Sequence, residues 1–193
     1  NIKMKITKIL FTAVVLIFVG TLIPQSTNAQ KHVTKNGMIS FYSETPMETI
    51  EAVNRQVNCA LDTESGYLVF KVLMKSFEFE KALMQEHFNE NYVMSDEFPN
   101  ATFKGQVTNY FDIDFPVPGT YKALIEGELT IKGVTKNVKA EGEFINTRET
   151  IRGISKFMIN LSDYEIKIPG VVADNISETI EITVDVELKE LNP

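Results

Sequence analysis

His87 and the two acids near it have the side chains that a metal ion would need. Glu86 precedes His87 and Glu90 follows it by three residues, and imidazole and carboxylate are both zinc ligands. The chain has one other histidine, His32, and no His-Glu-x-x-His sequence. We therefore predict no metal site and expect His87 to lie on a polar face at the end of a helix.

The sequence offers no recognisable nucleophile for covalent catalysis. It contains no Gly-x-Ser-x-Gly sequence, and its single cysteine, Cys59, falls in the middle of a predicted strand. One thiol cannot form an intramolecular disulfide or a Cys-x-x-Cys site, so we expect Cys59 to be an unreactive packing residue. The sequence predicts neither an enzyme nor a bound cofactor.

The acidic charge of the chain disfavours two classes of partner. The 193 residues carry 19 Lys and Arg against 26 Asp and Glu, a formal net charge of -7. Nucleic-acid binding needs clustered Lys and Arg for phosphate contacts, and charge-driven docking on anionic lipid needs cations too. We predict no nucleic-acid partner.

The N-terminal residues have the pattern of a secretory signal peptide. Three lysines precede the mostly apolar run Ile9–Ile23, and a polar stretch that contains Ala29 follows it. The run is shorter than the roughly 20 residues that a membrane-spanning helix needs. We expect a signal peptide over residues 1–29, cleavage after Ala29 and no stable membrane insertion afterwards. The prediction is an exported protein, located in the periplasm or, as the alternative, outside the cell.

Alternation of apolar and polar residues predicts that the mature chain is built from strands. We expect residues 30–36 to be a flexible start and residues 37–190 to form one domain. The clearest alternation runs from Thr179 to Lys189, where every even position is apolar and every odd one is polar. On this basis eight strands are predicted: Met38–Ser43, Gln56–Asp62, Tyr67–Met74, Ala101–Val107, Tyr121–Lys132, Asn137–Phe144, Ile151–Leu161 and Thr179–Lys189.

One segment has the spacing of a helix. Apolar residues from Phe79 to Tyr92 recur at helical intervals in a run without Gly or Pro, which predicts a helix from about Glu80 to Asn91. A lone amphipathic helix among eight strands usually covers an edge or closes one end of a barrel. The short turns Thr63–Gly66 and Lys132–Gly133 predict hairpins, and hairpins imply antiparallel pairing.

Eight one-sided antiparallel strands must hide their apolar faces, and both a two-sheet sandwich and a closed barrel do so. The length of the strands that begin at Tyr121 and Ile151 favours the barrel. Gly105, Gly127 and Gly142 fall on inward phases, where they permit sharp coiling or leave space. An eight-stranded barrel is wide enough either to be filled by its own side chains or to hold one small ligand.

The inward aromatic and aliphatic residues are therefore either the lining of a pocket or an ordinary core. Strand phase alone favours a packed core, since small barrels often fill themselves. The residues in question are Phe41, Phe70, Phe103, Tyr121, Ile125, Leu129, Phe157 and Ile159.

Two stretches carry a resemblance to a known family. One is Leu-Thr-Ile-Lys-Gly-Val-Thr-Lys at residues 129–136, and the other is Phe-Pro-Asn-Ala-Thr-Phe-Lys at residues 98–104. The first is similar to the hairpin signature of the YceI-like family of periplasmic polyisoprenoid-binding proteins. The second resembles that family's aromatic-Pro-x-x-Thr-Phe-Lys sequence at the start of a strand. Their order and separation also match, and the resemblance extends from Gly37 to Leu188.

The resemblance implies an all-β, lipocalin-like antiparallel barrel of eight strands with one short helix near its mouth. In the family a long apolar cavity holds a polyprenyl chain, such as an isoprenoid-quinone tail, and no catalysis or cofactor is implied. The resemblance favours the inward residues as ligand-binding lining and adds His87, Phe88 and Tyr92 at the mouth. There His87 or Tyr92 could donate a hydrogen bond to a polar headgroup.

Two rival functions stay open from the sequence. One is a packed barrel without a lipid ligand, which serves the cell envelope as an interaction or structural module. The other is an enzyme that uses a few polar groups inside the cavity, although charged residues are scarce on the inward phases. A homodimer is compatible with the sequence.

Overall fold

The computed structural model describes residues 31–191, and the strands in that range form a single antiparallel sheet. The predicted signal peptide lies outside the described residues. The strands are β1 (Lys31–Glu44), β2 (Thr49–Asp62), β3 (Tyr67–Leu73), β4 (Phe77–Phe79), β5 (Asn100–Val107), β6 (Gly119–Ile131), β7 (Val134–Asn146), β8 (Thr150–Asn160) and β9 (Thr179–Glu190). Short 3₁₀ turns occupy Met74–Ser76, Tyr110–Asp112, Leu161–Tyr164 and Gly170–Val172.

The sheet closes on itself because β1 pairs with a strand on each side. Neighbouring strands follow the order β1-β9-β8-β7-β6-β5-β3-β2, and β1 pairs back with β2. The three-residue β4 pairs with the first half of β2, whereas β3 pairs with its second half. The prediction of an eight-stranded antiparallel lipocalin-like barrel is confirmed, with β4 as a short addition to it.

The alternation that predicts β9 separates a dry face from a wet one. Ile180, Val186 and Leu188 are buried inside the barrel. On the outer face, the Asp185 carboxylate accepts two hydrogen bonds from the Arg152 guanidinium of β8, at 2.8 and 2.6 Å. Exposed ion pairs contribute little stability, so burial of the inner face is what holds this strand in the sheet.

The first strand begins earlier than the sequence predicts. The expected flexible start at residues 30–36 is wrong for residues 31–36, which belong to β1 and lie in the sheet. Val33 lies opposite Ala60 on β2 and opposite Lys189 on β9. This stretch has few apolar side chains, so it is held in place by backbone hydrogen bonds to two neighbouring strands. Such bonds are not visible in the hydrophobic pattern of the sequence.

The predicted helix is present in two parts. The α-helix α1 (Ala82–His87) is followed by a π-turn over Phe88–Tyr92, which ends where the Val93 amide donates a 3.0 Å hydrogen bond to the Phe88 carbonyl. The two parts together lie within the predicted range Glu80 to Asn91 apart from one residue at the end. Across residues 31–191, no helix has the length and apolar character needed to cross a membrane.

One end of the barrel is filled by a compact group of buried side chains, which we call the floor cluster. It consists of Cys59, Leu61, Leu68, Val107, Ile113, Phe115, Ala123, Phe144, Ile151, Val186 and Leu188. Cys59 is 4% exposed, and burial raises the pKa of its thiol. The cysteine is therefore a packing residue, as its position in β2 predicts.

The two motifs of the family resemblance contact each other in the fold. Lys132 and Gly133 form the tight turn between β6 and β7 with φ values of 51° and 78°, which suits a two-residue hairpin. A Cβ atom on Gly133 would lie 2.7 Å from Cε1 of Phe98. The aromatic residue that precedes β5 therefore packs on the turn, and only glycine leaves room for it.

Replacement of Gly133 tests this contact. We expect Gly133→Ala to lower the free energy of unfolding by about 1–3 kcal/mol, because alanine is strained at positive φ and its methyl group meets Phe98. Urea unfolding followed by far-ultraviolet circular dichroism measures the change. Gly170→Ala is the matched control, since a Cβ atom there meets nothing within 4 Å. Equal stability of the two variants would contradict the role assigned to Gly133.

Candidate ligand cavity

An apolar cavity of about 560 Å³ occupies the interior of the barrel. Sites for small molecules usually measure about 300–1,000 Å³. The cavity extends from Leu188 in the floor cluster to Leu83 on α1. The barrel is therefore not filled by its own side chains, as a packed module would require.

Ten of the eleven residues predicted from the sequence line this cavity. They are Phe41, Phe70, Phe103, Ile125, Leu129, Phe157, Ile159, His87, Phe88 and Tyr92. Strand alternation places the first seven on the inner face. The helix α1 and its π-turn bring the other three to the end of the barrel opposite the floor cluster.

Tyr121 is the exception, and its interpretation as a lining residue is corrected. It packs against the floor cluster, and its hydroxyl donates a 3.2 Å hydrogen bond to the Val117 carbonyl. Its strand phase points inward as predicted, but its position near the start of β6 places it at the filled end of the barrel. Phase alone gives the face of a strand and not the height along the barrel.

Four phenylalanine rings form the wall near α1. The ring of Phe88 lies with its centroid 5.4 Å from Phe41, 5.7 Å from Phe77 and 5.1 Å from Phe79. Ring contacts at these distances contribute about 0.5–1.5 kcal/mol each beyond the area they bury. Phe88 therefore fixes the short helix on the barrel, and the N-terminus of that helix has no side-chain cap.

A pair of glycines holds one aromatic ring against the wall. Gly105 on β5 lies opposite Gly127 on β6. A Cβ atom on either glycine would lie 2.7 Å from a ring carbon of Phe103. Of the two roles predicted for these glycines, sharp coiling or empty space, the second is wrong here, because the Phe103 ring fills that space. The ring lies along the wall and leaves the centre of the cavity open.

We call the open end of the cavity the mouth. Three loops meet there, and a polar contact joins them. Lys81 before α1 pairs with Glu48 of the β1–β2 hairpin, with Nζ and Oε1 3.0 Å apart. The other oxygen of Glu48 accepts a 3.1 Å hydrogen bond from Nδ2 of Asn175 in the β8–β9 connection. All three residues line the cavity. We call this contact the mouth clasp.

The charge of Glu48 is stabilised by these contacts. The hydrogen bond from Lys81, and next that from Asn175, lower the pKa of the Glu48 carboxyl below its ordinary value of 4.5. The clasp is therefore intact at neutral pH. Since the folded state has the lower pKa, the stabilisation is lost as the pH falls through that lowered value.

His87 and Tyr92 are the hydrogen-bond donors that the helical segment presents to the cavity. His87 is exposed, and Tyr92 is half-buried. Burial raises the pKa of Tyr92, so its hydroxyl keeps its proton and remains a donor at neutral pH. Among residues 31–191, no group of three or more His, Cys, Asp and Glu side chains could hold a metal ion.

Some lining residues escaped the sequence analysis. Ile182 and Val184 of β9 face the cavity, and the alternation of that strand contains the signal that would have found them. The mouth clasp has no comparable signal. Glu48 and Asn175 are 127 residues apart in the chain, and only the closure of the barrel brings them together.

The closed barrel and its apolar interior define a lipocalin-like barrel with an internal site for an apolar ligand. The family model of the YceI-like domain matches residues 21–188. The chain belongs to the YceI-like family, and the resemblance inferred from its two motifs is confirmed.

Solved structures that share the fold are distant in sequence. The polyisoprenoid-binding domain from Saccharophagus degradans, implicated in plant cell wall breakdown, aligns with a TM-score of 0.74 at 11% identity, over 85% of this chain and 100% of that one. BcnA from Burkholderia cenocepacia aligns with a TM-score of 0.64 at 15% identity, over 79% and 95%. The YCEI protein of Campylobacter jejuni aligns with a TM-score of 0.54 at 16% identity, over 87% and 88%. No curated protein sequence matches the chain.

Removal of Glu48 should loosen the mouth. In Glu48→Ala both Lys81 and Asn175 lose their partner, so we expect faster amide hydrogen exchange in residues 170–176 at pH 7. Hydrogen exchange read by mass spectrometry measures the change, with exposed Glu90→Ala on the π-turn as the control. The wild type should approach the exchange rate of Glu48→Ala as the pH falls below 4.5, after correction for intrinsic exchange. Identical exchange in both variants would contradict the clasp.

Proposed function

We propose that this chain is a non-enzymatic binding protein that holds an isoprenoid lipid, by a polyprenyl or isoprenoid-quinone tail, inside the barrel. The apolar cavity of about 560 Å³ carries the proposal. The family supports it, as does the solved Saccharophagus degradans domain, which is a polyisoprenoid-binding domain.

Burial alone can supply the affinity for such a ligand. A polyprenyl tail has no hydrogen-bonding groups, so its site needs length, dryness and shape. At about 0.8 kcal/mol per buried CH₂-sized group, one five-carbon unit contributes at most roughly 3–4 kcal/mol. Association and ordering cost roughly 4–15 kcal/mol. A few units inside the cavity therefore exceed the cost, and no ionic contact with the tail is needed.

The proposal includes export of the mature chain, to the periplasm or beyond the cell. The basic, apolar and then polar succession in residues 1–29 supports this location. The mature chain that follows would carry more acids than bases, which disfavours adhesion to anionic membrane surfaces. An acidic exterior around an apolar interior suits a carrier of a water-insoluble molecule.

The absence of tryptophan from the sequence makes a direct binding test available. Leu129→Trp places an indole on the cavity wall, whereas Leu124→Trp places one on the outer face of the same strand, where Leu124 is 45% exposed. We expect a prenylated benzoquinone to quench the fluorescence of Leu129→Trp and to leave Leu124→Trp almost unchanged.

Native mass spectrometry of the protein purified from its own cells gives the second measurement. We expect a bound lipid whose mass fits a series of five-carbon units, and solvent extraction should release it. If no prenyl lipid co-purifies and the two tryptophan variants respond alike, the proposed function is wrong.

The donors at the mouth provide a separate prediction about the headgroup. If His87 or Tyr92 donates a hydrogen bond to it, His87→Ala or Tyr92→Phe should weaken retention of a prenyl quinone roughly threefold to tenfold. Squalene, which has no headgroup, is the control ligand and should bind all three proteins equally. Unchanged quinone retention in both variants would remove these residues from the site.

A further inference from the structure

The strands β7 and β8 are paired over only part of their length. Residues Gly142–Asn146 of β7 pair with Ile151–Ser155 of β8. By contrast, all 13 residues of β7 pair with β6, and all 11 residues of β8 pair with β9. Within residues 31–191, the facing edges of β7 before Gly142 and of β8 after Ser155 are therefore not paired with any strand. We call this gap in the barrel wall the split.

The split borders the cavity. Val138 and Ala140 from β7 and Phe157 from β8, which have inward phases, line the cavity on its two sides. Glu143 and Ile154 lie opposite each other with outward phases, and they line the same cavity. Next to them Gly142 and Gly153 carry no side chain, and a Cβ atom on Gly142 would lie 2.6 Å from the Ile154 carbonyl oxygen. The wall is therefore only one backbone thick at this edge of the split.

The split is bounded at both ends. At one end the Ser155 hydroxyl donates a 2.7 Å hydrogen bond to the Glu141 carbonyl, beside the last paired rung. At the other end the 3₁₀ turn Leu161–Tyr164 contacts both strands. The next residue is tied to the β6–β7 turn, since Nζ of Lys132 donates a 3.2 Å hydrogen bond to the Glu165 carbonyl. These contacts hold the gap at a defined place in the wall.

The outer edge of the split is apolar on the β8 side. Ile154 is half-buried, and Met158, four residues further along the same outer face, is 56% exposed.

The floor cluster fills the barrel axis below the cavity. The lining of β6 runs from Ala123 to Ile131, which is about 26 Å along the strand at 3.3 Å per residue. A ligand chain longer than this cannot leave the barrel through the floor cluster.

We propose that the split is a second opening of the cavity, through which the far end of a long polyprenyl chain leaves the barrel and lies against Ile154 and Met158. The inference rests on the proposed function, because it concerns the part of the same ligand that the cavity does not enclose. It identifies the ligand class as chains longer than the cavity. Short chains fit inside the cavity and do not pass through the split.

An environment-sensitive dye beside the split tests the exit directly. Glu143→Cys places a thiol at the outer border of the split, and Glu128→Cys places one on the outer face of β6, which is paired on both sides there. Cys59 is buried, so the dye couples to the introduced thiol, and the unsubstituted chain measures background labelling. Farnesol serves as the short ligand and solanesol as the long one.

Solanesol should shift the dye emission at position 143 to shorter wavelength, farnesol should not, and neither should change the dye at position 128. Solvent extraction and mass spectrometry measure how much of each alcohol is bound. Bound solanesol without a shift at position 143 overturns the second opening and leaves the proposed function intact. Failure of both alcohols to bind overturns both.

Narrowing of the split provides an independent measurement. We expect Val138→Phe to weaken solanesol binding more than farnesol binding, so that the ratio of solanesol to farnesol affinity falls roughly tenfold. Val184→Phe adds the same volume to the cavity wall at β9, which is paired on both sides, and should weaken both alcohols alike. A ratio of solanesol to farnesol affinity that is equal in the two variants contradicts the exit through the split.

Discussion

Closure of the sheet through β1 is the constraint on which the rest of the structure depends. This strand pairs with β2 on one side and with β9 on the other, so the first and last strands of the described residues become neighbours. An open sheet of the same strands would expose its apolar face to water or collapse onto itself. Closure gives that face an interior to line, and it brings the loops of the mouth clasp within hydrogen-bond distance.

The cavity stays open because large side chains are held at its edges. Phe103 lies over Gly105 and Gly127 on the wall, and Phe88 gathers three other rings beside α1. Interiors usually pack to the density of organic crystals. Here the aromatic side chains lie along the wall and at the two ends, so the middle of the barrel is free to hold a ligand.

Hydrophobic alternation carried most of the prediction from the sequence. It gives the eight barrel strands, the helical segment and the inward face of seven lining residues, because each of these depends on the period of side chains along one element. The family resemblance, and not the pattern, interpreted those residues as lining and added His87, Phe88 and Tyr92. The start of β1 was missed since backbone pairing holds its polar residues. Tyr121 was wrongly assigned to the cavity lining because strand phase does not give the height of a residue along the barrel. The mouth clasp and the split depend on register between distant segments, such as the rung that joins Gly142 to Ser155, and no local pattern encodes them.

The burial of Cys59 has a consequence for how the barrel can be observed. Its sulfur lies in the floor cluster at 4% exposure, with a pKa raised by that burial. A thiol in this state is silent toward oxidants and alkylating agents while the barrel is closed. The rate at which Cys59 is modified therefore reports how often the filled end of the barrel opens transiently, without any introduced label.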